Sequence, residues 1–347
     1  MKGRQVVLDH VADRDIAVLI EDGQIEDLLV DAPDTPLRPG AIARATVDRA
    51  MTGQGGAMLR LPEGMLYLRD GKGLKPGESL LVQVQGWAMD GKAATAARRL
   101  LFKSRYAIVT PGAPGINVSR AIRDEERRVA LLEIASGQEL PEGAGLILRS
   151  ASETADDDEI AADIAAMADL ADRVLGDPGK GAELLADGPG AHELAWRDWP
   201  TPDALEEGPG SLARTGAEEL VARCLSPRVD LPGGGHLWIE PTRALVAVDV
   251  NTGGDTSLAA GLKADIAMAR RLPAELRCRG LGGQIVIDLA PLAKKERRNF
   301  EQILRAAFRS DPVETVLAGW TPLGLFELQR RRDRLPLSTL LPKEVFS

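Results

Sequence analysis

Residues 236–251 read HLWIEPTRALVAVDVN, and residues 282–289 read GGQIVIDL. In each stretch one Asp follows an apolar run: Asp249 in ALVAVDV (244–250) and Asp288 in QIVIDL (284–289). HLWIE and ALVAVDV flank Pro241-Thr242-Arg243, which predicts a hairpin. A Gly-rich loop, NTGGDTS, follows. A helix is then predicted from near Ser257 to Arg279, with Pro273 inside it and Gly280 where a helix stop belongs. Strand, helix and strand form a crossover unit, which makes the two strands parallel. The near-continuous apolar runs predict strands covered on both faces. Asp249 and Asp288 then emerge together at the edge where open α/β sheets bind ligands.

A single Asp at a strand end commonly caps the next loop through backbone N–H groups. Two at equivalent ends are different, because like charges that close repel unless a cation lies between them. Mg²⁺ takes one or two carboxylates and completes its shell with water and phosphate oxygens. Asn251 falls on the same side of its strand as Asp249 and can orient that carboxylate. These groups suit metal-assisted phosphodiester hydrolysis. Lys294, Lys295, Arg297 and Arg298 follow Asp288, and Arg330, Arg331, Arg332 and Arg334 cluster near the C-terminus. A charge run is ordinarily a solvated face. Beside paired acids in a chain of net charge −9, it suits a phosphate backbone.

Outward from this region, a basic helix is predicted over 293–309, with strand-like TVLAGWT and LGLFELQRRRDR after it. At the other end, QVVLDH and DIAVLIEDGQIEDLLV alternate apolar runs with turns, and Glu21-Asp22-Gly23 predicts a hairpin. A loop with Pro33, Pro36 and Pro39 marks a boundary. The short runs 41–49, 57–62, 64–70 and 79–88, closing with KAATAARRLL (92–101), predict a small β-barrel. Beyond Pro111, Gly112 and Pro114, helices are predicted at 126–135 and 155–175, with a strand within 143–152. Residues 176–215, rich in Gly, Pro and acids, predict loops around a short helix and leave open an insertion or a shrunken domain.

The 347 residues suggest two or three domains, and 44% hydrophobic with 27% charged residues is an ordinary globular balance. The acidic net charge excludes nucleic-acid binding by bulk charge and requires local patches. With only 5 Phe, 2 Tyr and 5 Trp, base stacking is not a general strategy. Cys224 and Cys278 are far apart, with no Cys or His at metal-ligand spacing. That excludes a zinc knuckle and predicts two reduced thiols. No signal-peptide core or apolar span of about 20 residues occurs, so a soluble, cytoplasmic chain without membrane contact is expected.

RVDLPGGGHLWIEPTRALVAVDVN, LRCRGLGGQIVIDL and LGLFELQRRR resemble the catalytic core of the ribonuclease E/G family of bacterial endoribonucleases, most specifically in D-V-N and L-G-G-x-I-V-I-D. The resemblance covers roughly residues 228–340 and continues weakly through MKGRQVVLD, EDGQIEDL and residues 40–102. It implies an α/β multi-domain chain. An S1 (OB-type) barrel (39–103) would be inserted in an RNase H-like domain (1–38 and 179–230). A 5′-sensor region (104–178) and a DNase I-like catalytic domain (231–347) would follow.

By match, the resemblance makes Asp249 and Asp288 the catalytic Mg²⁺ ligands, with Mn²⁺ as a substitute, and Asn251 their support. Arg149 and Ser150 correspond to the Arg and Thr of a 5′-monophosphate pocket, Arg120 to a basic residue near it, and Lys92 to an RNA-touching lysine of the barrel. The implied activity is cleavage of single-stranded RNA in rRNA or mRNA processing or decay. Departures are also visible. The family's zinc-linking Cys-x-x-Cys and small domain do not appear before Ser347, which argues against a zinc site and a zinc-linked dimer and leaves the oligomeric state open. Met58 and Met65 replace aromatics of the barrel, which weakens stacking there. Pro291 and Glu314 stand where longer members carry Asp and Arg. Two other readings follow from these departures: a reduced member that binds RNA or a protein partner without efficient cleavage, and a metal-dependent hydrolase of another phosphodiester or nucleotide.

Overall fold

The chain begins as a meander of β1 (Arg4–Val11), β2 (Arg14–Glu21) and β3 (Gln24–Val30). The β2–β3 corner is the predicted hairpin. Asp22 and Gly23 sit at φ 48° and 76°, the left-handed pair that a two-residue hairpin turn needs. The structure is a computed structural model and describes all residues except Met1, Pro33, Asp34, Thr52, Gln54, Asp90 and Ser347. Pro33 of the proline-rich boundary therefore lies outside the described residues. The chain divides at that loop into two compact units, residues 34–201 and residues 1–33 with 202–347.

The unit 34–201 holds a closed barrel. Its strands are β4 (Ile42–Met51), β5 (Gly56–Leu61), β6 (Gly64–Leu68), β7 (Ser79–Gly86) and β8 (Ala94–Ala97). They pair in the order β4-β5-β6-β8-β7, and β7 returns to β4. β6–β8 is the parallel contact. This is an OB-type arrangement, filled by alternate side chains such as Ala43, Ala45, Val47, Leu59, Leu66 and Val82. A second sheet contains β9 (Phe102–Lys103), β10 (Ala107–Thr110), β11 (Gly115–Val118) and, after α1 (Glu125–Ser136), β12 (Gly145–Leu148). α2 (Asp157–Leu175) packs on it through Ile160, Ile164, Ala171 and Val174. β13 (Glu183–Ala186) and α3 (Ala191–Asp198) complete the unit.

In the other unit, β14 (Ala204–Glu207) pairs parallel to β1. Residues 176–215 are therefore more structured than their composition suggests: they contain β13, α3, β14 and α4 (Ser211–Thr215). α5 (Ala217–Leu225) packs on the β1–β3 sheet and brings Cys224 against Cys278. Both thiols are buried and free, and they hydrogen-bond to each other.

The remaining elements are β15 (Arg228–Asp230), β16 (His236–Pro241), β17 (Val246–Asn251), α6 (Leu258–Cys278), β18 (Gly283–Asp288), α7 (Arg297–Ser310), β19 (Thr315–Trp320), β20 (Phe326–Arg330) and α8 (Leu337–Leu340). Ser257 caps α6 by accepting from the Ala260 N–H, and the helix runs on through Pro273. Gly280 follows it at φ 63°, where a Cβ would collide with the Leu335 carbonyl. The sheet runs β15-β16-β17-β18-β20-β19, and within it β17–β18 is the parallel pair that the crossover through α6 requires.

One face of this sheet is the core. Val246, Val248 and Val250 of β17 and Ile285 and Ile287 of β18 pack against Met268 and Leu272 of α6 and Phe300 and Leu304 of α7. Each fully buried side chain of this kind contributes about 1.5–3 kcal/mol. The residues between them are half-buried or exposed. The expectation of strands covered on both faces is thus corrected: β17 and β18 alternate, with one buried face and one open face.

Candidate active site

Asp249 and Asp288 are register partners in the parallel β17–β18 pair, and both are exposed on the open face. Adjacent strands lie about 4.8 Å apart, and partners in register point to the same side. The two carboxylates therefore stand side by side. Asn251, two residues on, donates its Nδ2 to Oδ2 of Asp249 at 2.8 Å. That bond fixes one oxygen of Asp249 and leaves the other free.

The same row continues outward. Trp238 of β16 pairs with Asp249, and Arg228 of β15 pairs with Trp238. Arg228, Trp238, Asp249 and Asp288 thus form one line across four strands of the open face. His236 pairs with Asn251 one row further on. Sequence reasoning missed Trp238. The signal was the alternation in HLWIE, which turns Leu237 and Ile239 inward and His236, Trp238 and Glu240 outward.

Behind Asp288, the loop is held by a buried acid. Asp265 of α6 is fully buried, and its Oδ1 accepts the Ala290 N–H at 3.1 Å. Its Oδ2 has no hydrogen-bond partner among the described residues. Burial raises this carboxyl to about 7, only partly offset by the Ala290 hydrogen bond.

No group of three or more His, Cys, Asp and Glu positioned to hold a metal occurs among the described residues. An ion at Asp249 and Asp288 would have two protein carboxylates and draw its other ligands from water and substrate. That donor set fits Mg²⁺, which keeps several waters.

The basic residues separate into two kinds. Lys294 and Lys295 are exposed in a 3-10 turn (Lys294–Glu296), and Arg298 is exposed in the first turn of α7. Arg331 is exposed beside Asp333. Arg297 is half-buried with its guanidinium 4.1 Å from the Trp320 ring centroid. Arg330, expected to bind RNA, is corrected: it is 1% exposed and donates to Thr315 Oγ1 at 2.8 Å and to both oxygens of Asp311 at 3.2 Å. Arg334 is likewise spent on Asp27, at 2.5 and 3.0 Å. Arg277 lies between these acids, 2.8 Å from Asp311 and 3.3 Å from Asp27. A guanidinium buried on a carboxylate cannot reach a solvent-side phosphate chain.

In the other unit, Arg149 follows β12 and caps a 3-10 turn (Ser150–Glu153) that the exposed Ser150 opens. The Arg149 guanidinium donates to the carbonyls of Ser104, Arg105 and Arg197, and to Asp198 Oδ1 at 2.7 Å. Asp198 also meets Lys103 at 2.7 Å and Arg197 at 2.8 Å. Burial acts to raise Asp198, but the Arg197 and Lys103 charges win and hold it well below the usual carboxylate range. Arg120 is exposed after β11, with no side-chain partner among the described residues. Lys92 is exposed at a bridge to Met89 of the barrel. Met58 and Met65 are half-buried on β5 and β6.

An acidic pair on the α/β sheet of one unit and an OB-type barrel in the other are parts suited to nucleic-acid chemistry, and comparison with known proteins specifies the family. The profile of the Ribonuclease E/G family matches residues 102–206 and 204–333, and the chain belongs to that family. It is 29% identical over 316 residues to Ribonuclease G of Escherichia coli (strain K12), covering 78% of this chain and 63% of that protein. It is 27% identical over 379 residues to Ribonuclease E of Nostoc sp., covering 92% of this chain and 54% of that protein. Ribonuclease G of Haemophilus influenzae is 28% identical over 309 residues, again covering 63% of its own length. The chain thus spans less than two thirds of the length of these curated relatives. No helix among the described residues is long and apolar enough to cross a membrane.

Proposed function

We propose that the chain is an endoribonuclease that hydrolyses phosphodiester bonds of single-stranded RNA, acting in RNA processing or decay, with Mg²⁺ or Mn²⁺ held by Asp249 and Asp288. One observation carries this reading: two exposed carboxylates in parallel register, in a member of a family whose named relatives are ribonucleases. A divalent ion bound there supplies Lewis acidity toward the phosphodiester and toward the attacking water. The protein's own part is positional. Asn251 fixes one oxygen of Asp249 and so sets the direction of its other lone pairs. Asp265 grips Ala290 and anchors the strand end that presents Asp288.

Lys294, Lys295 and Arg298 are exposed cations that would meet the RNA backbone, with Arg331, exposed and paired with Asp333, a further one nearer the C-terminus. Lys92 serves the same end on the barrel. Arg149, Ser150 and Arg120 form the 5′-phosphate subsite, in which Asp198 competes with the phosphate for Arg149. In this reading residues 39–103 are the S1-type module and 104–178 the 5′-sensor. Residues 231–347 are a DNase I-like catalytic domain, and 1–38 with 179–230 are RNase H-like. The test is cleavage of a 5′-monophosphorylated, A/U-rich oligoribonucleotide with and without Mg²⁺. Asp249→Asn and Asp288→Asn should stop cleavage while keeping native circular dichroism. Wild-type rates in either variant would refute the assignment.

A further inference from the structure

Arg228, Trp238, Asp249 and Asp288 lie in one row because β15, β16, β17 and β18 are consecutive neighbours and these residues are register partners. At about 4.8 Å per strand, the Trp238 backbone is one step from Asp249, and Arg228 is one step beyond. Trp238 is only half-buried and lies outside the hydrophobic core. Its indole N–H donates to no acceptor among the described residues, and no ring or cation packs on it. Trp320, the other tryptophan of this sheet, is locked between Phe300, Phe326 and Arg297 and donates to Glu301 at 2.5 Å. Trp320 is therefore structural, whereas Trp238 offers a free π-face beside the acidic pair. Among the described residues the Arg228 guanidinium holds Asp230 alone, at 3.0 Å, and both side chains are largely exposed. Such a surface pair exchanges readily for another anion.

We infer that Trp238 and Arg228 form a nucleotide track leading into the Asp249–Asp288 site: Trp238 stacks the base next to the scissile phosphate, and Arg228 pairs with a phosphate further along the strand. Order along the row matches order along the polymer, with charge for a reacting phosphate, then an aromatic face, then a cation. Stacking on one ring is tolerant of base identity, so the track favours single strands, whose bases are free to stack, without strict sequence preference. The inference rests on the nuclease reading above and adds to it a positioning residue whose action is read by binding.

The test is fluorescence anisotropy of a dye-labelled 5′-monophosphorylated oligoribonucleotide with no divalent metal added. Trp238→Ala should raise Kd by about 5- to 150-fold, the range of one base–aromatic stack, and Trp238→Phe should recover most of it. An oligonucleotide abasic beside the cleavage position should bind wild type as weakly as the intact one binds Trp238→Ala. Arg228→Ala should reduce the slope of log Kd against log salt by about 1. If wild type binds RNA and Trp238→Ala binds equally well, or if the abasic substitution costs nothing, the track is wrong and the nuclease reading stands. If wild type neither binds nor cleaves RNA, both fall. The Phe variant and the abasic probe decide the question even if the Ala variant fails to fold.

Discussion

Asp249 stands directly opposite Asp288 in the parallel pair β17–β18, with both side chains exposed on the same face. Like charges in that position weaken a sheet pair. Without metal, Asp249→Asn or Asp288→Asn should therefore melt at or slightly above the wild-type temperature. Added Mg²⁺ should raise the wild-type Tm and leave both variants unmoved. Cleavage should fall by on the order of a thousandfold, as when one group that stabilises transition-state charge is removed. Differential scanning calorimetry with and without Mg²⁺ separates this from a structural role. Variants that melt far below wild type in metal-free buffer would make the pair a folding element instead.

Asp311 carries two arginines. Its side chain is fully buried between Arg277 and Arg330, both themselves almost inaccessible. Removing one partner of a buried pair leaves an uncompensated charge, so Asp311→Ala should cost about 3–5 kcal/mol in denaturant unfolding. Arg331→Ala, at the position after Arg330 and exposed, should leave stability within about 0.5 kcal/mol and weaken RNA binding. An unchanged midpoint for Asp311→Ala would mean the network adds nothing.

The parallel acidic pair is readable from sequence because each carboxylate ends a β-branched run and a helix of sufficient length separates them. The open face is not readable from the same runs. Ala247 and Val286 count as apolar, so VAVDV and QIVID look continuous although their positions alternate in burial. The arginines near the C-terminus mislead for another reason. Charge is local, whereas Asp27 arrives from β3 near the other end of the chain, and Asp311, at the end of α7, meets Arg330 only through the β19–β20 pairing. Residues 176–186 look like loop because β13 has no strong pattern of its own. Its position depends on Arg44 of β4, which reaches Asp177, the Gly181 carbonyl and Glu183. The alternation in HLWIE turns Trp238 to the open face, but only the register with β17 sets it beside Asp249.

Asp265 predicts an unusual pH dependence. Its carboxyl is raised to about 7 in the folded chain from about 3.8 when unfolded, because burial disfavours the charged form and the Ala290 N–H offsets only part of that. The folded state therefore binds more protons between these values. The contribution is fully present below pH 3.8 and is lost as pH rises through 7. The loss is on the order of 2–4 kcal/mol. Asp265→Asn keeps the oxygen that accepts from Ala290 and cannot ionise. It should match wild type near pH 3.5 and exceed it by a margin that grows up to pH 7 and holds to pH 8.5 in urea unfolding. Parallel curves for the two proteins across that range would refute the assignment.

Asp198 behaves in the opposite sense and links stability to the proposed 5′-phosphate subsite. Burial would raise its carboxyl, but Arg197 and Lys103 hold it below the usual range, with Arg149 a further 2.7 Å contact. Its contribution is present above pH 3.8 and is lost on acidification through the folded value, so Asp198→Asn should flatten acid unfolding. At neutral pH the variant should be less stable by about 1–3 kcal/mol, the cost of leaving partly buried cations without their anion. The functional effect runs the other way. With the carboxylate neutralised, Arg149, Lys103 and Arg197 become available to a phosphate, and the preference for 5′-monophosphorylated over 5′-hydroxyl RNA should widen. Arg149→Ala should erase that preference in both backgrounds. Competition between the two RNAs in one reaction measures it directly, and a preference that survives Arg149→Ala would place 5′-end recognition elsewhere on the chain.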